Sequence, residues 1–79
     1  MQQLSLLNRV IVNNLGTELH YVDGGLQYLK YLNGIQTWWL HGQRHRTDGP
    51  AYIAPSGLKE YWLHGKQVSE EEFNKRRNK

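Results

Sequence analysis

The chain contains no cysteine, which excludes disulfide staples, thiol nucleophiles and cysteine-based zinc sites. That absence also fits a reducing compartment. Proline occurs only twice, and methionine and phenylalanine once each. No apolar run approaches the ~20 residues of a membrane-spanning helix. The opening stretch, Met1 to Arg9, lacks the basic segment and cleavage site of a secretory signal. A cytoplasmic protein without a membrane partner is therefore expected. Charge of one sign is scarce too. Ten Lys/Arg stand against seven Asp/Glu, for a net charge of +3. Such a balance permits nucleic-acid contact without calling for it. Seventy-nine residues make room for one domain, 1–79, with a modest core. Folds below ~80 residues tend to lean on a disulfide, a metal or a partner. With the first excluded, tight local packing or self-association remains, and a homodimer is one expected partner.

What the chain does have is aromatic residues and turns. Three Trp, five Tyr and one Phe are many for this length. They favour strands and carry large buried area. Turn signals recur at short intervals: Asn14-Leu15-Gly16, Asp23-Gly24-Gly25, Asn33-Gly34, His41-Gly42, Asp48-Gly49-Pro50, Pro55-Ser56-Gly57 and His64-Gly65. The pieces between them have strand length and leave no space for an ordinary helix. The fold class expected is mainly β, an antiparallel meander of stacked hairpins over 17–66.

One segment repeats. Gly34-Ile35-Gln36-Thr37-Trp38-Trp39-Leu40-His41-Gly42-Gln43 matches Gly57-Leu58-Lys59-Glu60-Tyr61-Trp62-Leu63-His64-Gly65-Lys66 at an offset of 23, with five of ten positions identical. A weaker copy reads from Gly25 to Gly34 with one extra residue, placing Asn33 where the later copies have His41 and His64. A period of this length suits one hairpin per repeat. Both sides of each repeat strand carry apolar groups: Trp38, Leu40, Tyr61 and Leu63 on one, Trp39 and Trp62 on the other. A sheet with one wet side would alternate more cleanly. Either all these aromatics lie in a core, or one side is an interface.

The termini read differently. Leu4, Leu7, Ile11 and Leu15 fit a helical face, but Arg9-Val10-Ile11-Val12-Asn13 is β-branched and is taken as a strand. At the other end, Ser69-Glu70-Glu71-Glu72 forms a capping box, with Val68 and Phe73 as a hydrophobic staple. Glu71–Lys75 and Glu72–Arg76 have i,i+4 spacing. A helix over 69–78 is expected, anchored on the sheet by Phe73.

Chemistry-bearing residues are few. His41 and His45 stand close enough in sequence to share a metal ion, but turn geometry accounts for His41 and His64 without one. Asp48 and His45 form a conceivable pair with no recurring nucleophile nearby. No glycine-rich phosphate loop precedes a helix. No enzyme activity, no metal and no cofactor are expected. Arg44, His45 and Arg46 are the densest basic spot outside the tail. With Trp38 and Tyr61 they have the composition of a nucleic-acid contact. The simpler reading is an arginine packed over a ring at a solvated turn.

The stretch from Trp39 to Ala51, with His45-Arg46-Thr47-Asp48-Gly49-Pro50-Ala51 at its end, resembles a MORN-like repeat. So does Gly57 to Lys66, and the resemblance covers about residues 25 to 73. The closing Gly65 to Phe73 is similar to the tails of repeat proteins of large phages. This chain departs by carrying a single full His-Arg-x-Asp-Gly-Pro-Ala copy, which favours a compact domain over a long solenoid. The resemblance implies stacked β-hairpins, no catalytic residues and a role in binding. By that resemblance the expected function is a phage-type factor that binds and modulates or inhibits a host protein, in the host cytoplasm. The partner-binding residues expected are Trp38, Trp39, Arg44, His45, Arg46, Tyr61 and Trp62. A nucleic-acid-binding protein using Arg44 and Arg46, and an antitoxin-like partner, are the alternatives.

Overall fold

The computed structural model describes residues 8–77. Eight strands are followed by one helix: β1 (Arg9–Val12), β2 (Glu18–Val22), β3 (Gly25–Lys30), β4 (Gln36–Leu40), β5 (Gln43–Arg44), β6 (Tyr52–Ile53), β7 (Lys59–Leu63), β8 (Lys66–Val68) and α1 (Glu70–Arg77). The sheet runs β1-β2-β3-β4-β6-β7-β8, with β5 paired to β4. Every pairing is antiparallel. The fold is the mainly β meander with a short C-terminal helix that turn spacing and aromatic content imply.

Two kinds of turn alternate along it. Asp23-Gly24, His41-Gly42 and His64-Gly65 close one end, with φ of 54/81, 51/79 and 53/81°. Two successive positive φ values define the tight hairpin turn whose twist suits the flanking strands. The other end is closed by five-residue turns at 13–17, 31–35 and 54–58, each held by two backbone hydrogen bonds. Their glycines, Gly16, Gly34 and Gly57, have φ of 83, 96 and 99°. Asn13 and Asn33 brace two of these turns through Oδ1, which accepts from Thr17 N and Ile35 N respectively.

The turns correct the repeat assignment. The early counterpart of the two strong copies is Gly16–Gly25 on β2, not Gly25–Gly34, which lies mostly on the returning strand β3. Asp23, not Asn33, therefore stands where His41 and His64 stand. Apolar composition drew the copy to the wrong strand; the positive-φ glycines fix the true equivalence.

β1 forms where β-branched residues are concentrated, pairing Val10 with His20 and Ile11 with Leu19. Leu15, the last residue of the competing helical spacing, sits exposed in a turn. Leu4 and Leu7 lie outside the described residues. The helix begins as expected, with Ser69 Oγ accepting from Glu72 N at 3.0 Å. Glu72 does not return the bond; its carboxylate accepts from Arg76 Nε at 2.9 Å. That contact holds the Glu72 carboxyl below its ordinary range.

The molecule is flat, 41 × 30 × 16 Å. Its radius of gyration, 13.9 Å, exceeds the ~12 Å of a compact domain this long. Phe73 and Ala51 are the buried hydrophobic side chains among the described residues. Strand register sorts the aromatics onto two sides. Trp38 and Tyr61 share the side on which Phe73 of α1 lies, its ring 4.8 Å from Tyr61. Trp39, Arg44, Tyr52, Glu60 and Trp62 share the opposite side, which no described helix or loop covers. These are the helix side and the open side below.

Candidate functional site

Arg44 organises the open side. The hairpin turn at His41-Gly42 brings it directly across from Trp39. Its carbonyl accepts from Gly65 N at 2.9 Å, while Arg46 N donates to Trp62 O at 3.2 Å. The backbone at β5 is thus bracketed by both strong hairpins, and the side chain rises between their tryptophans. The guanidinium carbon lies 5.1 Å from the Trp39 ring, 5.2 Å from Trp62 and 5.4 Å from Tyr52. Each is within reach of a cation–π attraction.

The rings are held in place by equivalent bonds. Trp39 Nε1 donates to Thr37 Oγ1 at 2.8 Å, and Trp62 Nε1 donates to Glu60 Oε1 at 3.0 Å. Donor and acceptor are two residues apart in both hairpins, on the same side of the strand. Thr37 is 1% exposed, sealed beneath this group. Arg44 Nε is enclosed and has no hydrogen-bond acceptor. Three rings surround the guanidinium that carries this donor.

The other expected site residues go elsewhere. Trp38 is on the helix side, 5.0 Å from Tyr28, with the Arg46 guanidinium 3.9 Å above its ring. Arg46 also donates from Nε to Asp48 Oδ1 at 2.8 Å and from Nη1 to the Pro50 carbonyl at 3.0 Å. Gly49 lies close beneath it: a Cβ there would stand 3.1 Å from Arg46 Cζ, so the guanidinium would have to shift. Tyr61 lies against Phe73. His45 stacks on His64 at 4.3 Å, and its Nδ1 accepts from His64 N at 2.8 Å. Burial, then the neighbouring His64, lowers the His45 pKa.

The structure therefore brings together Trp39, Arg44 and Trp62 and separates them from Trp38, Arg46 and Tyr61. The single basic spot implied by adjacency of Arg44, His45 and Arg46 does not form, because the chain leaves the sheet after Arg44. Tyr52 is the residue that sequence reasoning missed. It lies on a two-residue strand whose register against β4 and β7 no pattern in the sequence discloses. No protein-family model, curated protein or solved structure matches the chain.

Proposed function

We propose that the protein is a non-catalytic protein-binding module that engages its partner through the open side, around Arg44. The supporting observation is a fixed set of half-buried rings, Trp39, Tyr52 and Trp62, around an arginine on a side no described element covers. Trp, Tyr and Arg are the residues that dominate binding at protein interfaces. Rings locked before binding lose little conformational freedom on association. On the helix side, by contrast, Arg46 and His45 are each engaged within the chain, Arg46 with Asp48 and His45 with His64.

The finer reading, a MORN-like phage-type factor that attaches to a host protein and modulates or inhibits it, rests on resemblance.

The test is side-selective capture. A photocrosslinking amino acid at Gln67, exposed and paired with Trp62 on the open side, should yield a discrete protein adduct in cells. The same group at Lys59, exposed and on the helix side, should yield none. Adducts only from Lys59, or only to nucleic acid from Gln67, would refute the proposal.

A further inference from the structure

Resting on that reading of the open side, we infer that the partner is acidic and sets a carboxylate end-on against the two terminal nitrogens of Arg44. Arg46 and Arg76 each spend their charge within the chain, on Asp48 at 2.8 Å and Glu72 at 2.9 Å. Arg44 has no ion pair and no hydrogen-bond acceptor among the described residues. Its guanidinium is nonetheless held by three rings. An immobilised, partly dehydrated arginine with free donors is a preformed receptor for a planar anion.

Geometry narrows the approach. A carboxylate meets guanidinium either side-on, through Nε and one terminal nitrogen, or end-on, through both terminal nitrogens. Enclosure of Nε removes the first. Glu60, on the same side, is bonded to Trp62 Nε1 and forms no ion pair with Arg44. Its negative charge opposes an incoming acid, so its removal should tighten binding. The net charge of +3 adds long-range attraction for an acidic partner. A phosphate backbone is the poorer occupant, since tracking one takes a row of cations, and Arg46, the nearest in sequence, lies on the other side.

The experiment titrates the full-length, nitrogen-15-labelled chain with a hexaglutamate peptide at low salt and follows indole and arginine side-chain signals. The Trp39 and Trp62 indoles and the Arg44 side chain should shift saturably, and the Trp38 indole should not. Arg44→Gln should weaken binding about ten-fold, the loss of a charged hydrogen-bonded pair. Arg44→Lys, which keeps charge without the fork, should fall between. Glu60→Gln should tighten binding. Lys59→Gln removes the same charge from the helix side and should change it less than about two-fold, as expected of a screened distant charge.

Equal weakening by Lys59→Gln and Arg44→Gln would overturn the inference, as would tighter or unchanged binding by Arg44→Lys. Shifts of Trp39 and Trp62 by hexalysine but not hexaglutamate would overturn the acidic partner and leave the open side a protein surface. Shifts by oligothymidylate alone would overturn both.

Discussion

The two halves of the molecule use one hairpin plan and differ by five residues. Asn13 to Tyr31 and Asp23 to His41 span 18 positions; Tyr31 to Ala54 and His41 to His64 span 23. In the first unit the chain leaves Asp23-Gly24 and returns at once as β3, six residues that run the length of β2. In the second it leaves His41-Gly42, forms only the two residues of β5, and detours through 45–50 before β6. The detour seats Arg44 between two tryptophans and lays Arg46 over Trp38. Tyr21, the counterpart of Trp39 and Trp62, has the Arg9 guanidinium 5.8 Å from its ring in place of an arginine enclosed by three rings. Among the described residues, six of the seven exposed large hydrophobics lie at or before Leu32, while Thr37, Ala51 and Phe73, each at most 1% exposed, lie beyond it. Insertion into a plain hairpin thus builds both the local core and the site.

The largest way to break this contrast is Phe73→Ala. Removing a ring that is 1% exposed should cost about 3–5 kcal/mol, a large share of the stability of so small a domain. Urea unfolding measures it, and hydrogen exchange should show β7 opening before β2. A loss below about 1 kcal/mol would mean that α1 does not organise the second half.

A smaller effect compares equivalent turn glycines. Gly34→Ala and Gly57→Ala both force alanine into positive φ, at 96 and 99°, for about 1–2 kcal/mol each. At Gly34 the new Cβ also meets Pro55 Cγ at 2.9 Å, whereas nothing lies within 4 Å at Gly57. Gly34→Ala should be the more destabilising in thermal melts; equal losses would deny the close approach of the 31–35 and 54–58 turns.

Ser69→Ala should cost about 1 kcal/mol through the lost cap. Circular dichroism with denaturant titration checks it, and no loss would remove the cap from the account.

The smallest effect is in pH. His45 has a folded pKa below its ordinary value, from burial and then from His64. The unfolded chain thus takes up a proton first as pH falls, so this stability is complete above about pH 6.5 and declines as pH drops toward the lowered value. His45→Asn should flatten that part of the stability profile. A His45 titration midpoint at or above the ordinary value, followed by NMR, would contradict the burial.

Much of this is legible in the sequence. Asp-Gly, Asn-Gly and His-Gly pairs specify turns because few other residues tolerate positive φ, and Ser69 with its acidic first turn specifies a helix start. Alternation within β4 and β7 separates Trp38 from Trp39 and Tyr61 from Trp62. What stayed hidden is what depends on pairing between distant strands. Arg44 and Arg46 are neighbours but one separation of face, set by the exit from the sheet, divides them. Tyr52 joins Arg44 only through register. The early repeat copy is obscure in the sequence because Gly16 and Gly24 carry it almost alone.

Arg44 stands as a ring-caged cation with no ion pair to a described residue, on an otherwise open side. Side-chain NMR of the free protein measures this directly. The rings should move the Arg44 Nε–H signal upfield and slow its exchange with water relative to Arg9, and Trp62→Ser should abolish both effects. An Arg44 signal that coincides with Arg9 and exchanges as fast would contradict the cage, and with it the site.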